Sequence, residues 1–341
     1  MPLTRRGSKR RSAETFRTFA SRKSTATTDS QPLDDRPRPT RSNTGSCANS
    51  EININVTPSL PKEKVILAGS EQTLLPMVMF KLRDAQSSSP ILADPYARQL
   101  LERCDVDMDA SHFKFTTDQR YVTWIANRAK RLDQWCQEFL DAHSEPVTVV
   151  HLACGLDCRF FRVAKSPRVR WIDIDQPLVV DLRSRLIPQP EGDYKLRTLD
   201  VSAPGWYRDI PADRPTLIIA EGLTPYLEPK DGKAMIRDLA EYFGSSEHGG
   251  QLIFDSLGSL SVNLTTFIKA LRSSGSAFKW GIDDPEDITA LHPRLVMRDR
   301  IQWRDFMDSH PPFFGPYGTP MASILPSFEK NIQIWRFDFA G

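Results

Sequence analysis

The apolar residues of this chain are regularly spaced only after its first sixty residues. From about Pro61 onward they follow periods that are typical of secondary structure, and the clearest case is segment 119–141. There the apolar residues recur every three or four positions, which predicts one long amphipathic helix.

Short apolar runs rich in β-branched residues predict β-strands along the rest of the chain. Helical patterns separate several of these runs, notably at 177–187 and 230–243. Strands that alternate with helices at this spacing predict an α/β fold with a parallel sheet. The predicted strands are 147–153, 169–174, 195–199, 216–220, 251–255 and 332–339.

The composition excludes several classes of protein. The 341 residues are 40% hydrophobic and 26% charged, as is ordinary for a soluble globular protein, and the net charge of +2 does not indicate a nucleic-acid-binding core. No window approaches 18 consecutive apolar residues, so we expect no membrane-spanning helix. The five cysteines lack the spacing of a disulfide framework, and Cys154 and Cys158 have no nearby second pair that would complete a metal site.

Residues 1–60 form a tail rich in Arg, Ser and Thr, with 11 basic and 5 acidic residues. We predict that this tail is disordered, because it has too little apolar surface to bury. Two other interpretations stay open, a mitochondrial transit peptide and a basic binding or nuclear signal in the run RRGSKRR. The predicted location is cytoplasmic, with mitochondrial targeting by the tail as the alternative.

Acidic residues follow four successive predicted strands. Gly155 and Asp157 come after the first strand, Asp175 after the second, Asp200 after the third and Glu221 after the fourth. Each alone could be a turn glycine or a helix cap. Together they favour a binding site, because ligands of open α/β sheets bind beyond the carboxyl ends of the strands.

The first of these turns favours a cofactor without phosphate. Dinucleotides need the glycines of G-x-G-x-x-G, whereas this turn reads A-C-G-L-D-C-R. S-adenosyl-L-methionine has no phosphate, and its sulfonium cation suits a crevice lined by acids. Asp175 could accept hydrogen bonds from both ribose hydroxyls and Asp200 one from the adenine amino group, while Glu221 would lie near the amino-acid half.

Five segments together resemble one family. They are VVHLACGLDCRFFRV, RWIDIDQPLVVDLR, LIIAEGLTPYLEP, EQTLLPMVMFKLRDAQSSSPILADPYA (71–97) and FKWGIDDPEDI (278–288). They resemble the leucine carboxyl methyltransferase superfamily, and more closely its branch of tetracenomycin-type polyketide O-methyltransferases, over about residues 65–341. The resemblance implies a class I S-adenosylmethionine-dependent methyltransferase: a Rossmann-like fold with a seven-stranded, mostly parallel sheet and extra N-terminal helices.

The resemblance also implies roles for individual residues. Arg128, in a motif that ends at Asp133, would bind the methionine carboxylate of the cofactor. The sequence departs from the family pattern before Tyr226, where Thr224 and Pro225 stand, and Lys81 matches a cofactor-side lysine of some relatives only loosely. By position, Gly155 matches the turn glycine, Asp175 the ribose acid, Asp200 the adenine-side acid and Glu221 the acid of E-G-x-x-x-Y-L.

We predict a methyltransferase domain at 61–341, divided into a helical cap (61–145), a cofactor-binding core (146–257) and an acceptor region (258–341). The expected reaction is O-methylation of a hydroxyl or carboxyl of a small molecule, such as a polyketide or another aromatic metabolite. The alternatives are a protein C-terminal leucine carboxyl methyltransferase, a non-catalytic scaffold and, less favoured, a nicotinamide-dependent oxidoreductase. The expected partner is a small-molecule acceptor, without nucleic acid, membrane or metal.

No catalytic base stands out in the sequence. A carboxylate acceptor needs none, whereas a phenol benefits from one. Weak candidates are Tyr226, Asp255 and His292, followed by His310, whereas His151 lies inside the first strand and is interpreted as a core residue. Aromatic residues of 258–328 could line an acceptor pocket, namely Phe278, Trp280, Trp303, Phe313, Phe314 and Tyr317.

Overall fold

The structure is a computed structural model that describes residues 62–67, 69–163, 166–265, 277–305 and 330–339. The predicted tail at 1–60 lies outside these residues. The described α-helices are α1 (Leu74–Ala85), α2 (Ala97–Arg103), α3 (Gln119–Ala142), α4 (Arg159–Arg162), α5 (Pro177–Leu186), α6 (Pro229–Gly244), α7 (Ser259–Thr265) and α8 (Glu286–Thr289). The strands are β1 (Glu63–Lys64), β2 (Cys104–Asp105), β3 (Val147–Leu152), β4 (Val169–Asp175), β5 (Tyr194–Thr198), β6 (Thr216–Ala220), β7 (Gly250–Leu257), β8 (Leu295–Gln302) and β9 (Ile332–Phe339).

Seven of these strands form one sheet in the order β5-β4-β3-β6-β7-β9-β8. Strands β3 to β7 pair in parallel, and β9 runs antiparallel to both of its neighbours, β7 and β8. The short strands β1 and β2 form a separate parallel pair. The predicted seven-stranded, mostly parallel sheet is therefore confirmed, and with it the class I methyltransferase fold. No helix among the described residues has the length and apolarity needed to cross a membrane.

The sheet lies between two apolar clusters, one on each face. On the first face, Val149 of β3 and Leu217 of β6 pack in the same cluster as Trp135 of α3. On the second face, Val150 of β3 packs with Ile236 of α6. Residues alternate between the two faces because successive side chains of a strand point in opposite directions.

The alternation on the first face ends in polar residues at the carboxyl ends of the strands. His151 follows Val147 and Val149 on β3, and the same two-residue step leads to Asp173 and Asp175 on β4, to Glu221 after β6 and to Asp255 on β7. Helix α3 packs on this face, so its side chains reach the same strand ends. This edge of the sheet is the candidate site.

Candidate functional site

The turn after β3 brings two predicted site residues into direct contact. Gly155 has a φ of +51° and donates its backbone N–H to Asp175 Oδ2 at 2.7 Å. Asp175 Oδ1 accepts a second hydrogen bond from the N–H of Gln176, also at 2.7 Å. A carboxylate has further lone pairs, so Asp175 keeps acceptor capacity for a ligand.

Arg128 of α3 joins the ends of β6 and β7. Its Nη2 lies 3.1 Å from Glu221 Oε1, and its Nη1 lies 3.0 Å from Asp255 Oδ2. The other oxygen of Asp255 accepts the backbone N–H of Gly222 at 2.6 Å. The guanidinium also lies 5.7 Å from the centre of the Trp124 ring. The structure thus brings Arg128 and Glu221 together, as their shared assignment to the methionine end requires.

Asp157 lies among three cations next to this turn. Its carboxylate is 3.0 Å from Lys81 Nζ, 2.9 Å from Arg159 Nη1 and 2.8 Å from Arg162 Nη1. Burial would raise the pKa of Asp157, but these cations outweigh burial and hold the pKa well below its ordinary value. Both oxygens of Asp157 face cations of the chain, so the structure gives this residue a role in holding the turn. Lys81, a loose match in the sequence, is buried and ion-paired.

Arg159 is the site residue that the sequence reasoning missed. Its side chain is fully buried. Its Nε donates to Asp133 Oδ1 at 2.5 Å, and its Nη2 donates to Glu221 Oε2. The available signal was its place at the end of the turn motif A-C-G-L-D-C-R, where a charged residue begins α4 seven residues after β3 ends.

Within the described part of the chain, the ion pairs that connect at this edge contain one more carboxylate than cations. Burial would raise the pKa of Glu221, but Arg159 and Arg128 lower it to about 2. The pKa of Asp255 is raised, because burial outweighs the effects of Arg128 and the Gly222 N–H. The cations are Lys81, Arg128, Arg159 and Arg162, and the carboxylates are Asp94, Asp133, Asp157, Glu221 and Asp255. This donor set fits S-adenosylmethionine, whose sulfonium, ammonium and carboxylate give a net charge of +1.

The other strand-end acid, Asp200, and the weak catalytic candidate Tyr226 occupy different settings. Asp200 is exposed and accepts the N–H of Ser202 at 2.9 Å, as a turn cap does. Burial raises the pKa of Tyr226, whose ring centre lies 5.2 Å from that of Phe278. Arg128 and Asp255 influence the same pKa, so Tyr226 lies beside the Arg128 cluster, which consists of Arg128 and its two partners Glu221 and Asp255.

His292 does not reach this edge of the sheet. Its Nε2 lies 2.8 Å from Glu241 Oε2, in the last part of α6. The next strand, β8, begins at Leu295, which pairs with Phe339, and Phe339 pairs with Gly250 at the start of β7. His292 therefore lies at the end of the sheet opposite Asp255, and the candidate site does not include it.

The predicted aromatic pocket is only partly gathered at the site. Phe278 packs on Tyr226, but Trp280 packs on α6, where a Cβ at Gly232 would lie 2.2 Å from its ring. Trp303 belongs to the apolar cluster on the first face of the sheet. His310, Phe313, Phe314 and Tyr317 lie outside the described residues.

The two cysteines of the turn are buried. Burial raises the pKa of Cys158 to about 12 and that of Cys154 well above its ordinary value. A thiol that stays protonated at neutral pH is a weak nucleophile and a weak metal ligand. Packing therefore explains both residues, as the sequence indicated.

Comparison with known proteins identifies the family. The model of the leucine carboxyl methyltransferase family matches residues 77–240. The chain is 37% identical to the tetracenomycin polyketide synthesis O-methyltransferase TcmP of Streptomyces glaucescens, over 81% of this chain and 99% of that protein. It is 36% identical to the S-adenosyl-L-methionine-dependent methyltransferase dpfgK of Gibberella zeae, over 71% of this chain and 85% of that protein. A solved putative methyltransferase from Thermobifida fusca aligns with a TM-score of 0.44 and 16% identity, over 77% of this chain and 94% of that one. The chain belongs to the leucine carboxyl methyltransferase family and is an S-adenosylmethionine-dependent methyltransferase.

Proposed function

We propose that the cofactor lies across the strand ends, with its ribose at Asp175 and its methionine part at Arg128. The observation that carries this placement is the excess negative charge of the Arg128 cluster beside the Gly155 turn. A cofactor with a net positive charge supplies the missing charge, while Arg128 offers a guanidinium to its carboxylate. In this arrangement Glu221 and Asp255 hold the guanidinium of Arg128 in its orientation through their ion pairs with it.

We further propose that the acceptor is a small aromatic molecule, such as a polyketide, methylated on a hydroxyl or carboxyl oxygen. Tyr226 and Phe278 form an aromatic pair beside the proposed methionine end. Flat apolar rings favour an aromatic ligand. The 37% identity to a polyketide O-methyltransferase supports the same class of acceptor.

When bound, the cofactor supplies an electrophilic methyl group, and the residues of the chain act mainly by alignment. Holding two reactants in line removes much of the entropic barrier of a bimolecular displacement. Asp175 and Arg128 would fix the two ends of the cofactor, and the ring of Tyr226 would exclude water from the methyl group. The raised pKa of Tyr226 keeps its hydroxyl protonated at neutral pH, so it would not remove a proton from the acceptor.

The cofactor placement is tested by calorimetric titration of the full chain and of its Asp175→Ala variant with S-adenosylmethionine. We expect the variant to bind more weakly by about 1–3 kcal/mol, because it loses hydrogen bonds to a charged acceptor. Asp181→Ala is the matched control, since Asp181 is an exposed acid of α5 whose side chain pairs with Arg185. Equal affinities of the Asp175→Ala variant and the unaltered protein would remove the ribose assignment.

The acceptor proposal is tested by transfer of a labelled methyl group to three sets of compounds. These are aromatic carboxylic acids, polycyclic phenols and peptides that end in leucine. We expect label in the aromatic compounds, with a raised KM in the Phe278→Ala variant, because that variant removes one ring of the aromatic pair. Label in the peptides alone would replace this proposal with protein carboxyl methylation.

A further inference from the structure

Beneath the proposed cofactor site, His151 lies between Arg159 and the buried ion pair of Asp173 with Arg183. It is on β3, an interior strand of the sheet, and only 1% of its surface is exposed. It pairs in register with Asp173 of β4, so the two side chains point to the same face of the sheet. On its other side the ring faces Arg159 of α4.

The contacts of His151 give its two ring nitrogens different roles. Arg159 Nη1 lies 3.2 Å from His151 Nε2. A guanidinium only donates hydrogen bonds, so Nε2 must be the bare acceptor nitrogen. The single ring proton is then on Nδ1, which lies 3.5 Å from Asp173 Oδ1. His151 therefore accepts from Arg159 on one side of its ring, and on the other side its Nδ1 faces Asp173 Oδ1, which also accepts from Trp171 Nε1 at 2.7 Å.

Asp173 continues the chain of contacts toward the first turn. It accepts hydrogen bonds from Arg183 Nη2 at 2.6 Å and from the Tyr194 hydroxyl at 2.7 Å. Arg183 Nη1 in turn donates to the backbone carbonyls of Gly155 at 2.9 Å and of Asp157 at 2.7 Å. Arg183 thus holds the turn whose N–H is bonded to Asp175.

At the other end of this chain of contacts, Arg159 holds Glu221 as Arg183 holds the turn. Its guanidinium donates to Glu221, and Glu221 holds Arg128. Arg159 also faces Asp133 and Asp157, so it does not need His151 to balance its charge. His151 instead constrains the orientation of its two neighbours. Its acceptor nitrogen must face Arg159, and its other ring nitrogen must face Asp173.

We propose that His151 is a positioning residue for cofactor binding. It fixes Arg159 relative to Asp173 and Arg183, and in that way it fixes the Glu221 side of the site relative to the Gly155 turn. This inference rests on the proposed placement of the cofactor. The connected groups are Glu221, Arg159, His151, Asp173, Arg183 and the carbonyls of the turn.

A spectroscopic test does not require the cofactor. The full chain is labelled with ¹⁵N-histidine, and the His151 signals are identified by their loss in His151→Gln. We expect a neutral ring protonated on Nδ1 at pH 7. A proton on Nε2, or a doubly protonated ring, would overturn the inference.

The binding test compares two replacements of His151. Phenylalanine fills a similar volume but can neither accept from Arg159 nor donate to Asp173. The amide of glutamine has one acceptor and one donor, so it can satisfy both. We expect His151→Phe to weaken S-adenosylmethionine binding about tenfold or more, and His151→Gln to restore it to within about threefold of the unaltered protein.

The matched control is Val149→Ala, on the same face of β3 and also fully buried. It makes a cavity two residues away and lowers the free energy of unfolding without touching the polar chain. We expect its cofactor affinity to stay unchanged. If His151→Phe binds as tightly as the control, or if His151→Gln binds as weakly as His151→Phe, the inference is wrong. If the unaltered protein does not bind the cofactor, the proposed placement fails instead, and the histidine spectrum still decides the ring state.

Discussion

At the scale of single residues, Gly155 shows how the turn after β3 depends on one side chain being absent. Its φ of +51° lies in the left-handed region, and a Cβ there would come within 2.6 Å of Leu74 Cδ2 in α1. The backbone conformation alone costs a residue other than glycine about 1–2 kcal/mol. The contact with α1 adds to that cost, because α1 is packed against the rest of the domain.

We therefore expect Gly155→Ala to destabilise the protein more than Gly192→Ala. Gly192 also has a positive φ, of +93°, but a Cβ there would meet no atom within 4 Å. Gly192→Ala thus gives the cost of a side chain at positive φ without a steric contact, and a larger loss in Gly155→Ala is expected from the contact with Leu74. Urea unfolding gives both free energies. A loss in Gly155→Ala no larger than that in Gly192→Ala would show that the Leu74 side chain moves aside without cost.

The sequence predicted part of this site because strand ends of a parallel sheet meet at one edge. Gly155 and Asp175 are twenty residues apart, yet their positions after neighbouring strands sufficed to predict their proximity. The contacts of Arg159 could not be predicted in that way. Its partners come from α3, β3, the first turn and the end of β6, and no spacing in the sequence encodes such a set.

At the scale of elements, segments with a strong hydrophobic pattern could be predicted, and a segment with a weak hydrophobic pattern could not. The 119–141 prediction matches α3, and all six predicted strands are present with ends shifted by at most a few residues. Strand β8 was missed because LVMRDRIQ carries three charges in its middle. It is one of the two edge strands of the sheet, and Val296 and Met297 are 48% and 40% exposed, so burial imposes no alternation there.

Helix α3 offers a prediction at this scale, because its N-terminus is capped by a side chain. Asp118 Oδ1 accepts the N–H of Arg120 at 3.0 Å. We expect Asp118→Ala to lower the free energy of unfolding by about 0.5–2 kcal/mol, and Asp118→Asn to recover most of the loss, since asparagine also caps helices. Cofactor affinity should change little, because Arg128 lies about 15 Å further along the helix.

Urea unfolding and calorimetry on the two variants check this expectation. An equal loss of stability in Asp118→Asn and Asp118→Ala would mean that the ion pair of Asp118 with Arg120, rather than the cap, stabilises the helix start. A large loss of cofactor affinity in Asp118→Ala would mean that the first turn of α3 is coupled to Arg128.

At the scale of the whole domain, the buried ion pairs connect α1, α3, α4 and the strand ends into one network. Such networks stabilise a protein only when every member keeps its partners, because a single unpaired buried charge costs several kcal/mol. The sequence contains all of these charges but gives no rule for pairing them. This explains why Asp255 was only one weak candidate for a base in the sequence, whereas its pairing with Arg128 became visible in the structure.

The network also predicts how stability responds to acid. The folded-state pKa of Glu221 is about 2, below its ordinary value of 4.5, because Arg159 and Arg128 outweigh burial. A carboxyl whose pKa is lowered by folding stabilises the protein above its ordinary pKa, and this contribution is lost as the pH falls toward the folded-state value. We therefore expect the free energy of unfolding to fall between about pH 4.5 and pH 2.

Glu221→Gln tests this dependence, because it removes the titrating group. At pH 7 it should be less stable by about 3–5 kcal/mol, since Arg128 and Arg159 each lose a buried partner. Its stability should also fall less steeply with acid than that of the unaltered protein.

Asp213→Asn is the matched control. Arg170 lowers the pKa of Asp213 to about 2 as well, but this ion pair lies on the surface. Solvent and salt screen that exposed pair, so its removal should leave the acid dependence nearly unchanged. Parallel pH curves for Glu221→Gln and the unaltered protein would show that the buried pairs do not control acid unfolding.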